Sequence, residues 1–78
     1  MFGKRLKKLR KDRQYTISKM SLVLGISVEL YLKYERDELH PNLPILIKVA
    51  CTFHVSIDYL AGLTNLPLPY PEGEKYLV

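Results

Sequence analysis

The sequence has little of what marks secreted, membrane-spanning or disulfide-linked proteins. Its 78 residues include one cysteine, so an internal disulfide cannot form. No apolar run approaches the roughly 18 residues that a membrane-spanning helix needs. The first residues, MFGKRLKKLRK, also lack the continuous apolar segment of a secretory signal. We therefore expect a soluble, cytoplasmic protein that does not bind membranes.

The sequence also lacks the usual patterns of catalytic and metal sites. His40 and His54 have no cysteine or carboxylate at the spacing of metal ligands. There is no glycine-rich phosphate loop, no serine nucleophile motif and no cluster of paired acids. Cys51 lies among apolar neighbours, which favours an inert buried thiol over a nucleophile. We predict no metal, no cofactor and no enzymatic activity.

The charged residues are unevenly spread along the chain. Residues 1–13 hold seven basic side chains and one acidic side chain, a net charge of +6. The rest holds five basic and seven acidic side chains, a net charge of −2. A basic end on a small domain indicates attraction to a polyanion, with nucleic acid first and an anionic membrane second. A solvated helix face that keeps the protein in solution explains the same charge equally well.

The spacing of the apolar residues predicts one small all-α domain. They recur every three or four residues in five segments, at about 3–13, 17–24, 28–36, 43–53 and 57–61. The last four segments each follow a residue that can cap a helix: Thr16, Ser27, Asn42 and Ser56. No five-residue stretch outside these faces alternates as a strand does. The predicted core contains Leu6, Leu9, Met20, Leu24, Ile26, Tyr34, Leu46, Ala50, Phe53 and Leu60. On the third segment Tyr31 and Tyr34, one turn apart, are predicted to point toward the core. The predicted inner face of the fourth segment is formed by Leu43, Leu46, Ile47, Ala50 and Phe53.

After Gly62 the composition changes to a proline-rich segment. The letters LTNLPLPYPEGEKYLV include Pro67, Pro69 and Pro71, which disfavour helix and favour an extended chain similar to polyproline. We therefore predict a helical domain over residues 1–64 and an extended tail over residues 65–78.

The second and third predicted helices have the layout of a helix-turn-helix. Gly25 stands where a left-handed residue can end the second helix. Only Ile26 and Ser27 separate Gly25 from the third helix. In this motif the second of the two helices lies in the major groove of DNA.

The segments around this motif resemble, in order, the Cro and phage-repressor (xenobiotic-response-element type) family of helix-turn-helix regulators. They are FGKRLKKLRKDRQYT, LGIS, LKYERDELHPN, LIKVA and FHVSIDYLAGLT, from about Phe2 to Thr64. The resemblance implies a five-helix, repressor-like domain that binds double-stranded operator DNA, commonly as a homodimer. It implies a sequence-specific transcriptional regulator of a phage or bacterial kind.

The resemblance also implies a role for particular residues. Those facing bases would be Ser27, Val28, Glu29, Leu32 and Lys33, and those facing the DNA backbone would be Ile17, Arg36, His40 and Asn42. An ion pair would join Arg10 to Glu35. The dimer contact would involve the last helix and the residues after it, at Tyr59, Leu63 and Leu66.

The chain departs from the family on the face of the reading helix. Val28 and Leu32 form an apolar pair, and Glu29 brings negative charge to a surface that would meet phosphates. At the start of the second helix Ile17 replaces a usual glutamine, so its one donor to phosphate is the backbone N–H.

Three interpretations of this helix remain. In the first, Val28 and Leu32 touch thymine methyl groups, Glu29 accepts from cytosine N4 and Lys33 donates to guanine. In the second, the fold is a protein-interaction module with little DNA binding, and the apolar pair docks a regulatory protein of anti-repressor or antitoxin type. In the third, the neighbouring Leu30 is simply part of the core. We expect the first interpretation to hold.

Overall fold

The computed structural model describes residues 2–63 and residue 65, which form five α-helices. These are α1 (Phe2–Asp12), α2 (Ile17–Leu24), α3 (Val28–Glu35), α4 (Leu43–Phe53) and α5 (Ile57–Leu60). Each bound lies within one residue of its prediction, and the described residues contain no strand. The predicted all-α, five-helix architecture is therefore confirmed. Apart from Asn65, the predicted tail lies outside the described residues.

Side-chain caps determine where four of the helices begin. In each, a side-chain oxygen accepts a hydrogen bond of 3.0 to 3.1 Å from the backbone N–H three residues later. Such a bond satisfies one of the amide groups that have no partner within the helix. The capping residues are the four predicted ones, Thr16, Ser27, Asn42 and Ser56.

The core lies where the five helices meet. Its buried apolar residues are Phe2, Leu6, Met20, Leu24, Tyr31, Tyr34, Val49, Phe53, Val55, Tyr59 and Leu60. Four residues of the predicted core, Leu9, Ile26, Leu46 and Ala50, are partly exposed and pack against it. The α1 and α2 helices both pack on α3, so the core holds α3 from two sides.

The predicted inner face of α4 needs correction. Leu43 and Ile47 are 59% and 45% exposed, whereas Val49 is fully buried. Cys51 is exposed, so the expected buried thiol is also wrong. The physical reason is that α4, LPILIKVACTF, is apolar on almost every side. Without a polar face, the apolar spacing cannot indicate which side of a helix turns inward.

Gly3 is the point at which α1 comes closest to α3. A Cβ atom on Gly3 would lie 2.3 Å from the carbonyl oxygen of Glu35 and 2.7 Å from that of Tyr34. The Gly3 N–H donates to Oδ1 of Asp37, at 2.9 Å. The Asp37 carboxylate thus caps the first turn of α1, and this bond holds the pKa of that carboxyl below its usual value. The start of α1 is therefore fixed to the residues that end α3.

We expect Gly3→Ala to destabilise the fold by about 1–3 kcal/mol, as overpacking does. Helix propensity alone predicts the opposite sign, because alanine is favoured over glycine in a helix by about 1 kcal/mol. Urea unfolding measures the free energy directly. Lys4→Ala, at an exposed position of the same helix, is the matched control and should change stability by about half a kcal/mol or less. A Gly3→Ala protein as stable as the wild type would contradict the close approach.

Candidate nucleic-acid interface

The turn between α2 and α3 depends on the backbone of Gly25. Gly25 has φ 69° and ψ 35°, the left-handed conformation that glycine adopts at little cost. Its N–H donates to the carbonyl of Leu22, and the next N–H, of Ile26, donates to that of Ser21. The nearest atom to a Cβ added at Gly25 would be Nζ of Lys48, at 3.8 Å. Glycine is therefore favoured here by its conformation and not by lack of space.

The outward half of α3 carries most of the residues predicted to face bases. Tyr31 and Tyr34 are buried and fix which side of the helix turns inward, as the sequence predicted. Leu30 is half-buried and packs against the core, which supports the third interpretation for that residue. The outward half carries three exposed charged residues, Glu29, Lys33 and Arg36. Its two apolar residues are Val28, which is 39% exposed, and Leu32, which is half-buried.

The other predicted contact residues lie at helix starts and in the loop after α3. Ser27 is exposed, and its hydroxyl accepts from the Leu30 N–H at 3.1 Å. Asn42 is also exposed and caps α4 through its Oδ1 atom. Ile17 is the first residue of α2 and is half-buried against the core. His40 is exposed in the loop between α3 and α4.

Arginines and lysines of the basic N-terminal segment have different roles. Arg5 donates to the carbonyl of Tyr59 at 2.7 Å and to Oδ1 of Asn65 at 2.8 Å, and its guanidinium lies 4.3 Å from the Tyr59 ring centre. Arg13 donates to the carbonyl of Phe53 at 3.3 Å. Asp12 and Arg13 are exposed, and Nζ of Lys8 lies 3.2 Å from Oδ2 of Asp12. The other exposed charged residues of the segment are all lysines, namely Lys4, Lys7, Lys8 and Lys11. The side chains that could attract a polyanion are therefore mainly lysines.

A nearly buried ion pair joins α1 to the end of α3. Nε of Arg10 lies 2.6 Å from Oε2 of Glu35, and the two side chains are only 11% and 7% exposed. Arg10 also donates to the carbonyl of Tyr15, at 3.1 Å. The hydroxyl of Tyr31 donates to the same Oε2 of Glu35. The structure thus contains the ion pair that the resemblance implied, with a tyrosine that the sequence did not indicate.

These contacts fix the protonation states of the cluster. The hydrogen bond to Glu35 raises the pKa of the Arg10 guanidinium above its usual value. Burial raises the pKa of the Tyr31 hydroxyl well above its usual value, and the hydrogen bond to Glu35 adds to the effect. Around neutral pH, Arg10 is therefore charged and Tyr31 is neutral.

Breaking the Arg10–Glu35 pair on one side should be costly. We expect Glu35→Gln to destabilise the fold by about 3–5 kcal/mol, because it leaves the Arg10 charge nearly buried without its counter-charge. Replacing the whole cluster with apolar residues, as Arg10→Met, Glu35→Leu and Tyr31→Phe together, should cost less than Glu35→Gln alone. Chemical unfolding compares the variants. If the triple variant is the less stable of the two, the nearly buried charge is not what makes the single change costly.

Tyr31 should make the fold sensitive to alkaline pH. Its pKa is raised in the folded state relative to its ordinary value of 10.0, so the folded protein holds this proton more tightly than the unfolded chain. Stability from this group is fully present below about pH 10 and is lost as the pH rises beyond it. We expect Tyr31→Phe to lose less stability than the wild type between about pH 9 and pH 11. Equal losses in the two proteins would exclude Tyr31 as a source of the alkaline sensitivity.

Tyr59, which the resemblance places at a dimer contact, lies mostly inside the fold of the single chain. Tyr59 is only 9% exposed, because its ring packs in the core with the Arg5 guanidinium over it. Leu63 is 79% exposed, and the predicted contact Leu66 lies outside the described residues.

Within residues 2–63 and 65, no helix has the length and apolar character needed to cross a membrane, and no three potential metal ligands cluster together.

Residues 6–60, from the middle of α1 to the end of α5, match a protein family described as helix-turn-helix. The chain belongs to the helix-turn-helix family of DNA-binding transcriptional regulators. The match covers α2, the turn at Gly25 and the whole of α3, so it includes the complete helix-turn-helix.

Two similar proteins come from Bacillus subtilis strain 168. One is the HTH-type transcriptional regulator YobD, 36% identical over 75 residues that make up 96% of this chain and 67% of YobD. The other is the SPbeta prophage-derived HTH-type transcriptional regulator YonR, 42% identical over 65 residues, which are 83% of this chain and 60% of YonR. The chain thus spans about two thirds of the length of YobD and somewhat less of the length of YonR.

A solved structure with a similar fold is that of the P22 c2 repressor in complex with a synthetic operator. The TM-score is 0.73 and the sequence identity 27%, with 77% of this chain and 91% of the repressor chain covered. The likeness therefore extends over nearly the whole of a repressor domain.

Proposed function

We propose that this domain regulates transcription by binding operator DNA in a sequence-specific way, with α3 in the major groove. The observation that carries the proposal is the outward half of α3. It presents Glu29, Lys33 and Arg36 to solvent, while Tyr31 and Tyr34 attach the opposite side to the core. A reading helix must project side chains from a rigid support, and α3 is held in this way.

The outward side chains fit a groove that contains thymine and guanine. Val28 and Leu32 can contact thymine methyl groups, and Lys33 can donate to O6 and N7 of guanine. Glu29 can accept from N4 of cytosine. Such a helix would obtain its selectivity mainly from the contacts of Val28 and Leu32 with methyl groups. Two charged contacts, Glu29 with cytosine and Lys33 with guanine, would add to it.

The residues that flank α3 fit contacts to phosphates. Arg36 is exposed at the end of α3, and His40 and Asn42 are exposed in the following loop and at the start of α4. Ile17 would contribute its backbone N–H at the start of α2, where the partial positive charge of the helix favours an anion. Contacts of this kind fix the position of the domain on DNA but do not read sequence.

The second candidate function is a protein-docking role for α3. The limited exposure of its apolar pair, Val28 and Leu32, argues against this role. Val28 is 39% exposed and Leu32 is half-buried, so little apolar surface is available there. On α4, Leu43 and Ile47 are more exposed, at 59% and 45%. The exposed side chains of α3 therefore suit contacts with DNA better than contacts with an apolar protein surface.

The test is selection of bound duplexes from random-sequence DNA, followed by affinity measurements on the selected site. Lys33→Ala should weaken specific binding by about 1–3 kcal/mol, or roughly 5- to 150-fold, and Glu29→Ala should relax discrimination at one base pair. Lys7→Ala removes an exposed lysine of the same kind from α1 and is the matched control. It should change the affinity for all sequences alike or not at all. A folded protein that retards no duplex at low salt would reject the proposal in favour of docking.

A further inference from the structure

Lys19 lies at a position in α2 that normally favours the opposite charge. It is the third residue of the helix, and its backbone N–H donates to the Thr16 hydroxyl at 3.0 Å. A capping threonine is often paired with glutamate or glutamine at this third position, whose side chain returns to the N–H of the cap residue. The positive end of a helix also repels a cation, and the first turn of α2 contains no acidic residue. Lys19 is therefore unfavourable for the stability of α2.

The contacts of the Lys19 side chain within the fold offset little of this cost. Its Nζ lies 5.8 Å from the centre of the Tyr15 ring, near the outer limit of about 6 Å for a cation–π contact. Lys19 is exposed, so the ammonium group is hydrated and the contact is a weak one. Within residues 2–63 and 65, no carboxylate forms an ion pair with Lys19. A residue that breaks a local rule without such compensation indicates a functional position.

The Tyr15 ring determines where the Lys19 ammonium group lies. Tyr15 packs against Phe53, with ring centres 6.1 Å apart, and its carbonyl accepts from the Arg10 guanidinium at 3.1 Å. The ring is thus fixed to the domain, and the ammonium group beside it belongs to the same helical turn as Ile17. Ile17 has no side-chain donor for the phosphate proposed to lie there. Lys19 supplies the positive charge that this turn otherwise lacks.

We propose that Lys19 binds a phosphate of the DNA backbone beside the start of α2. The inference rests on the proposed function and adds to that interface a side chain outside α3 and the loop that follows it. An ammonium group is a compact charge that suits a phosphate oxygen and does not distinguish bases. A bound phosphate also removes the disadvantage of the lysine, because an anion then faces the positive end of α2.

The first experiment measures the affinity of the selected duplex and of an unrelated duplex of the same length at several salt concentrations. Lys19→Gln should weaken binding of both duplexes roughly fivefold at about 0.15 M salt and reduce the salt slope by about one unit, as loss of one phosphate contact does. The ratio of the two affinities should stay unchanged, because a phosphate contact does not read sequence. Lys19→Arg retains the charge and should bind as the wild type does.

The matched control is Lys8→Gln, which makes the same change at another exposed lysine. Nζ of Lys8 lies 3.2 Å from Oδ2 of Asp12, so this charge is already balanced on the surface of α1. Without a phosphate contact, its remaining effect on DNA is long-range and screened by salt. The salt slope of Lys8→Gln should therefore stay close to that of the wild type.

The second experiment compares the unfolding of the Lys19 variants in urea, without DNA. Lys19→Glu supplies the acid that the capping threonine lacks and puts a negative charge at the positive end of α2. It should raise the urea midpoint and yet bind DNA more weakly than Lys19→Gln, because its carboxylate repels phosphate. A role confined to the fold predicts a lower midpoint instead, since the contact with the Tyr15 ring is lost.

Four results would overturn the inference. A Lys19→Gln variant that binds as the wild type does, while Lys33→Ala loses specific binding, would leave the proposed function in place without Lys19. A Lys19→Arg variant as weak as Lys19→Gln would show that the positive charge is not what matters. A lower urea midpoint for Lys19→Glu would assign Lys19 to the fold. A wild type that binds no duplex would overturn the inference together with the proposed function.

Discussion

The nearly buried contact between Arg10 and Glu35 is the interaction on which the placement of α3 depends. A guanidinium in this position is costly unless a carboxylate faces it, and Glu35 is the last residue of α3. The same carboxylate accepts from the Tyr31 hydroxyl, so one group connects α1, α3 and the core. At the start of α1, Gly3 allows the backbones to approach and Asp37 caps the helix. The contacts at Gly3 and Arg10, about two turns apart along α1, thus fix the orientation of α3 relative to α1. This orientation determines which side chains of α3 are exposed.

The division between arginine and lysine near the N-terminus follows from their chemistry. A guanidinium offers donors in a plane and stacks on aromatic rings, so Arg5 and Arg13 can each bind a carbonyl and lie near a ring. Lysine keeps a compact, strongly hydrated charge, which suits the exposed outer face of α1. The net charge of the segment overstates its attraction for a polyanion, because the charge of Arg10 is balanced by Glu35 within the fold. Arg5 and Arg13 keep their charges, but their hydrogen bonds to carbonyl oxygens limit how far they can reach toward a ligand.

The sequence was sufficient for the local structure and insufficient for part of the packing. Caps such as Ser27 and the turn at Gly25 are read from neighbouring residues, so the helix bounds could be predicted. The burial of Tyr59 depends on Arg5, which lies 54 residues earlier, and no local pattern carries that information. The approach of Gly3 to α3 is equally non-local. On α4 the periodicity fails for another reason, since both Val49 and Ile47 are apolar and only the tertiary structure distinguishes them.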